Sequence, residues 1–218
     1  LRVIAIDGPA GAGKSTVARR VAIATGLPFL DTGAMYRCVA LVALRTGVAA
    51  SDSDAVAGIA RSISIEVRDG VTTIDGEDVS SDIRTADVNS VVSVIATNSA
   101  VREVMREAQR RWARAVGGGV VEGRDIGTVV FPDATLKVFL TASPEVRAER
   151  RVAESGGDVA EVARSIAERD HIDSTREDSP LRPAPGAAVV DSSGLPVDDV
   201  VAEIVRLLGE RTGGTDNV

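Results

Sequence analysis

Aromatic side chains make up only 2% of this 218-residue chain, so aliphatic residues must fill whatever core it builds. A single cysteine, Cys38, cannot form an internal disulfide, which excludes a disulfide-stapled secreted framework and leads us to expect a cytosolic, cytoplasmic protein. One histidine, His171, with that one cysteine leaves no zinc finger and no His-rich metal cage; the sole Cys–His dyad would be Cys38 with His171, which nothing local supports. Few aromatics also argue against a base-stacking platform for single strands. A formal net charge of -7 argues against a general nucleic-acid binder, which carries a basic excess. No apolar run reaches about eighteen residues, so no membrane span is expected, and the N-terminus shows no charged, apolar and small-residue signal pattern. The chain begins at Leu1, and a few residues are expected to have been trimmed ahead of it. Lysine is scarce too, standing only at Lys14 and Lys137, so arginine supplies nearly all the positive charge.

What is present is enough for one substantial core, or one core with a small appended unit. Val3–Asp7 is a short apolar run that ends in glycine, the pattern of a buried parallel strand. Lys14–Thr25 is helical, and Ala34–Leu44 is apolar almost all round, which predicts a helix inside the protein. Ile63, Ile65 and Val67 alternate with polar residues, Asp69-Gly70 marks a turn and Val71–Ile74 resumes strand chemistry. This predicts an antiparallel hairpin with a third short strand near Val79. Gly119–Glu122, Thr135–Leu140 and Ala187–Val190 read as further buried strands, 143–155 and 158–170 as helices, and Val197, Val200, Val201, Ile204, Val205 and Leu208 as the stripe of a last helix. Residues 213–218 are polar and expected to fray. The sum is an α/β core: a parallel sheet with helices on both faces and an antiparallel β insertion near its middle.

Gly8-Pro9-Ala10-Gly11-Ala12-Gly13-Lys14-Ser15 matches the eight-residue phosphate-loop pattern, and it sits between a buried strand and a helix, where its chemistry works. Glycines let backbone N–H groups approach phosphate oxygens, and the helix N-terminus adds a favourable dipole. Lys14 is expected to reach the β- and γ-phosphates of a nucleoside triphosphate, and the Ser15 hydroxyl to help hold Mg²⁺; Thr16 beside it leaves open which hydroxyl meets the metal. In Phe29–Arg37, Asp31 and Thr32 are good N-caps and open the apolar helix. Arg37 lies in the first turn of that helix, where a buried guanidinium needs an anion: either a nearby carboxylate or the phosphate of an acceptor.

Asp31-Thr-Gly-Ala-Met-Tyr-Arg37 at this distance from the phosphate loop resembles the bacterial-type cytidylate kinases. So do Glu122-Gly-Arg-Asp-Ile-Gly-Thr-Val-Val-Phe-Pro-Asp133 and Glu168-Arg-Asp-His-Ile-Asp-Ser-Thr-Arg176. The resemblance runs from Val3 to about Leu208. It implies ATP-dependent phosphorylation of CMP and dCMP, with Gly8, Pro9, Ala10, Gly11, Ala12, Gly13, Lys14, Ser15 and Thr16 on ATP. It also implies that Thr32, Tyr36 and Arg37 line the acceptor, that Ser93, Arg102 and Asp125 read the cytosine edge, and that Arg124 meets the acceptor phosphate. Arg169, Asp173 and Arg176 would stand near ribose and phosphates. The core would comprise 1–45, 98–146 and 170–210, the monophosphate-binding insertion about 46–97, and a lid about 147–169 with Arg147, Arg150 and Arg151 facing donor phosphates. Lys14, Arg147, Arg151 and Arg176 would then carry the catalytic charge.

Elementary chemistry agrees where it speaks. Cytosine offers an amine beside two acceptors, so one Asp and one Arg suit its edge, and uracil, with an oxygen in place of the amine, would be repelled by Asp125. Arg102, Arg106, Arg110 and Arg114 recur every four residues on one helix. For Arg106 and Arg114 a solvated face with Glu103 and Glu107 as partners is the simpler reading, whereas Arg102 at the helix start is the candidate. His171 is expected at the surface, and Ser155–Asp158 as a hinge or a plain connection between helices. The rivals are a small phosphate-loop kinase acting on UMP, AMP or an alcohol such as shikimate, and a regulatory NTPase. The second fits poorly, because Arg124 crowds the place where a switch protein positions water. Small-molecule nucleotides are the expected partners, without nucleic acid or membrane, and the chain is expected to be a monomer.

Overall fold

The computed structural model describes residues 1–68 and 70–213. In chain order its elements are β1 (Arg2–Asp7), α1 (Lys14–Thr25), β2 (Phe29–Asp31), α2 (Thr32–Thr46), α3 (Ser53–Ser62), β3 (Ile65–Arg68), β4 (Val71–Ile74), β5 (Glu77–Asp78), α4 (Ala86–Ile95) and α5 (Ser99–Val116). Then follow β6 (Gly118–Gly123), β7 (Leu136–Thr141), α6 (Pro144–Ser155), α7 (Val159–Thr175), β8 (Ala188–Asp191) and α8 (Val197–Thr212). Two compact units emerge, one of Leu1–Phe29 with the chain from Ala113 onward, the other of Leu30–Trp112. Among the described residues no helix is long and apolar enough to cross a membrane.

The larger unit is built on the parallel strands β6, β1, β7 and β8 of a five-stranded sheet whose order is β2-β6-β1-β7-β8. β1 is central because it has no polar face to show: from Val3 to Asp7 every residue is buried. It pairs in parallel with β6 (Ile4 opposite Val120) and with β7 (Ile4 opposite Leu136), and β8 extends the sheet beyond β7. Ile4 and Ile6 meet Val17 and Val21 of α1 and Ile204 and Leu208 of α8 in one aliphatic cluster, which fills the core without aromatics as the composition requires. α6 and α7 form an antiparallel pair whose Ala148 and Ile166 pack on Ala10.

The smaller unit is organised around α2. Its residues from Ala34 to Leu41 are all buried, and α3, α4 and a 3₁₀ turn at Asp82–Arg84 pack on it. The antiparallel strands expected at 63–79 are β3, β4 and β5, with Ile65 opposite Ile74 and Val67 opposite Thr72. Asp69 of the expected turn, and the tail beyond Gly213, lie outside the described residues. This unit takes in α2 and most of α5, a wider span than 46–97, because α2 serves as its own core.

Some elements differ from the sequence pattern. Phe29–Asp31 is the edge strand β2 rather than the opening of the helix, and Asp31 alone is the N-cap, accepting the Ala34 N–H at 3.0 Å. α7 runs on past Asp170 to Thr175, since no Gly or Pro interrupts it and its buried side continues from Ile166 to Asp173. Helices α3 and α4 and a π-helical turn at Ile126–Val130 were not expected.

Gly8 shows how tightly the core fixes the loop that follows β1. A Cβ at Gly8 would lie 2.0 Å from the Leu140 carbonyl oxygen of β7. Gly8→Ala is therefore expected to cost about 3 kcal/mol or more, because the obstruction is backbone and cannot swing aside; the denaturant midpoint of the variant measures it.

Candidate active site

The loop Gly8–Ser15 turns between β1 and α1 through left-handed backbone at Gly11 (φ 74°) and Gly13 (φ 82°), a geometry that lets its N–H groups converge. Its carbonyls are held from the other side. The Ala10 carbonyl accepts from Arg147 Nη1 at 3.1 Å, and the Ala12 carbonyl from Arg150 Nη1 and the Ser192 hydroxyl, both at 3.4 Å. Arg147 also pairs with Asp170, whose other oxygen accepts the Ala10 N–H at 3.2 Å. Arg150 is seated by Ser192, through the hydroxyl at 2.9 Å and the carbonyl at 2.7 Å. Arg147 and Arg150 of α6 thus meet the phosphate loop at its carbonyls. Arg151 is more exposed and pairs with Glu154 at 3.1 Å. Ser15 and Thr16 are both exposed on the first turn of α1.

Around Lys14 the larger unit gathers a cluster of buried charge. Lys14 Nζ donates to the Pro9 carbonyl at 2.7 Å. Burial, and then the Arg124 guanidinium nearby, pull the Lys14 ammonium down to about 7, with Glu122 opposing. Arg124, from the end of β6, donates its Nε to Asp173 Oδ2 at 2.9 Å. Arg176 Nη1 meets Asp173 Oδ1 at 3.3 Å, while its Nε donates to the Ser179 carbonyl at 2.8 Å. Burial alone would push the Asp173 carboxyl up, but Arg124, Arg169 and Arg176 together hold it below its ordinary value. The fold therefore brings Lys14, Arg124, Arg169, Asp173 and Arg176 together, although they come from distant parts of the chain. Asp125, buried beside Arg124, heads the Ile126–Val130 turn.

The smaller unit carries its own group. Thr32, Tyr36 and Arg37 are buried on the first two turns of α2. Arg37 Nη1 donates to the Ile83 carbonyl at 3.1 Å and to Asn89 Oδ1 at 2.6 Å, both uncharged acceptors. Arg102 is 1% exposed; its guanidinium lies 5.7 Å from the Tyr36 ring centroid and donates to the Ala96 carbonyl at 3.1 Å. Ser93 is half-buried on α4. Arg114 is exposed, as a solvated face requires, and so is His171.

A family model for cytidylate kinase matches residues 4–210. A cytidylate kinase of Pelotomaculum thermopropionicum is 50% identical, with 93% of each chain covered. One of Rhodococcus opacus is 47% identical over 97% of this chain and 96% of its own. This chain belongs to the cytidylate kinase family. A solved gluconokinase from Sinorhizobium meliloti shares the fold alone, with a TM-score of 0.53 at 17% identity over 98% of this chain and 94% of its own.

Three residues of this cytidylate kinase family member escaped the sequence reading as site residues. Asp170 and Ser192 hold the phosphate loop from behind, and Asp7 accepts the Ile126 and Gly127 N–H groups at 2.8 and 2.7 Å. For Asp7 there was a signal: an acid that ends a fully apolar strand must find donors. Burial pushes its carboxyl up to about 6, against the two N–H bonds that favour the anion.

Asp173 is the anion that several buried arginines depend on. Asp173→Ala is expected to cost about 3–5 kcal/mol in an unfolding titration, because it leaves guanidinium groups buried without their carboxylate. Since its folded value is depressed, the stability it contributes is present above the ordinary carboxyl value of 3.8 and is lost as the pH falls through the lower folded value. The acid limb of the wild-type stability profile, flattened in the variant, measures this.

Proposed function

We propose that this protein transfers the terminal phosphoryl group of ATP to CMP and dCMP, giving CDP and dCDP by in-line displacement. The observation that carries the reading is the cationic cluster that Arg124, Arg169 and Arg176 form with Lys14 of a complete phosphate loop. The attacking acceptor oxygen is already anionic, so no strong general base is needed, and catalysis is positioning and charge neutralisation. The oxygen bonds to the γ-phosphorus as the bond to the β-phosphate oxygen breaks, and ADP leaves.

Gly8 to Thr16 take ATP, with Lys14 on its phosphates. To the acceptor we assign Thr32, Tyr36, Arg37, Ser93 and Arg102 of the smaller unit and Arg124, Asp125, Arg169, Asp173 and Arg176 of the larger. Asp125 accepts the cytosine amine, Asp173 suits the sugar hydroxyls, and Arg176 joins Lys14, Arg147 and Arg151 in gathering charge. The antiparallel strands belong to the monophosphate-binding part, and 147–169 acts as a lid whose closure excludes water. Among the described residues no cluster of three or more acidic, His or Cys side chains could hold a metal by itself. The exposed hydroxyls of Ser15 and Thr16 in the first turn of α1 are a donor set that fits Mg²⁺ carried on the triphosphate. Ser15, or Thr16 beside it, would supply the protein oxygen, and the ion would neutralise phosphate charge. A monomer in the cytoplasm, where the buried thiol of Cys38 stays reduced, completes the reading.

An ADP-release assay across CMP, dCMP, UMP, AMP and shikimate tests the reaction. CMP and dCMP should be turned over far faster than the rest; a preference for UMP, AMP or shikimate, or rapid ATP hydrolysis without acceptor, would overturn it. Lys14→Ala should lose turnover by about two or more orders of magnitude with the fold kept, and Asp125→Ala should lose the preference for CMP over UMP.

The lowered Lys14 value adds a pH signature. A triphosphate stabilises the protonated ammonium, so at pH 8 binding should draw in about one proton. Calorimetry in two buffers of different ionisation enthalpy reads that uptake. Affinity for ATP should fall as the pH rises above about 7, and Lys14→Met should abolish the uptake.

A further inference from the structure

Asp125 occupies the N-cap position of the Ile126–Val130 turn, yet its side chain makes no capping bond there. The capping is done from another strand. Asp7, the last residue of β1 and 3% exposed, receives the Ile126 N–H on one carboxylate oxygen at 2.8 Å and the Gly127 N–H on the other at 2.7 Å. These two amides immediately follow Asp125, and the Asp125 carbonyl in turn accepts the Val129 and Val130 N–H groups at 2.9 and 3.2 Å. Both ends of the Asp125 peptide are thereby tied down, one of them by Asp7. The fit is close: a Cβ on Gly127 would stand 3.3 Å from Lys137 Cγ and from Ala184 Cβ, and 3.4 Å from Asp7 Oδ2. Because Asp7 also directly precedes Gly8, the same residue anchors the start of the phosphate loop and the backbone of the proposed base reader.

We propose that Asp7 is a positioning residue for acceptor-base selection: by capping the 126–130 turn from β1 it sets the direction in which the Asp125 carboxylate points. The inference rests on the reading of Asp125 as the group that accepts the cytosine amine. It assigns Asp7 no contact with either nucleotide. An asparagine at position 7 keeps one acceptor oxygen but turns its NH₂ toward the second amide, so one of the two bonds is lost and the turn is released on that side.

The test compares kcat/KM for CMP and for UMP in wild type, Asp7→Asn, Gly127→Ala and Asp125→Ala, with thermal midpoints measured alongside. Asp7→Asn should raise the KM for CMP and shrink the CMP-over-UMP ratio by about ten-fold to a hundred-fold, the scale of a small misplacement of a reading group. Gly127→Ala pushes the same turn off Asp7 from the other side and should shift the ratio in the same direction. It carries the test if Asp7→Asn does not fold. A purely structural role for Asp7 predicts that both acceptors decline together with the ratio unchanged, and that outcome overturns the proposal. If Asp125→Ala itself keeps the preference for CMP, the base-reading assignment fails instead. If Asp125→Ala loses the preference while Asp7→Asn and Gly127→Ala keep it, only the positioning role of Asp7 fails.

Discussion

The carboxylate of Asp173, buried among arginines, is the interaction on which the rest of the site depends. Lys14, Arg124, Arg169 and Arg176 repel one another in a medium far less polarisable than water, and bringing them together is affordable only with anions between them. Asp173 binds Arg124 with one oxygen and Arg176 with the other, while Glu122 offsets Lys14. The chain after α7 is shaped to keep Asp173 in place: the Leu181 N–H returns to the Asp173 carbonyl at 2.7 Å, and the Ser179 carbonyl accepts from Arg176 Nε at 2.8 Å. Further carboxylates stand near the same groups, Asp170 toward Arg124 and Asp7 toward Lys14. The parallel sheet delivers the parts, since β1 and β6 both end beside the phosphate loop, at the carboxyl edge where open α/β sheets bind ligands.

The same constraint separates the work of lysine from that of arginine. In this cluster the ammonium of Lys14 is driven down to about 7, whereas the Arg124 guanidinium, though burial pulls it down, is held up by Asp173 and stays charged. Arginine therefore supplies permanent charge with a planar fork that engages an acid and a carbonyl at once. Lysine supplies a compact charge that responds to the ligand in front of it.

The phosphate loop was legible because its chemistry is local: eight consecutive residues between a strand and a helix. The parallel core and the antiparallel strands were legible for a similar reason, since periodicity marks each strand without reference to its partners. The charge cluster was legible only through resemblance, because Arg124 and Asp173 are 49 residues apart and no local pattern pairs them. Asp7 was not legible as a site residue, since its partners are backbone amides 119 and 120 positions away and backbone carries no sequence signature. Helix α3 was hidden by its small and polar residues, and β2 by its brevity, at three residues. The helical pattern read from the sequence ends at 170, whereas the helix runs to Thr175 and helical geometry places Asp173 one turn beyond Asp170 along the same side.

Arg147 and Arg150 of α6 bind the phosphate loop through its carbonyls, and this bears on how a lid built from α6 and α7 could move. Arg147 and Asp170 join the two helices to Ala10, and Arg150 joins α6 to Ala12 and Ser192. Rotating the helical pair as one body would break all of these bonds, and Ala148 and Ile166 would also leave their packing on Ala10. The connection at Gly156 and Gly157, with left-hand-side φ values of 74° and 104°, lies about nine residues, or roughly 13 Å of helix, beyond Arg147. Deforming the pair there moves its tip while leaving the bonds at its base intact. Any motion of this pair that keeps the bonds to Ala10 and Ala12 must therefore come from its far end, beyond Arg150.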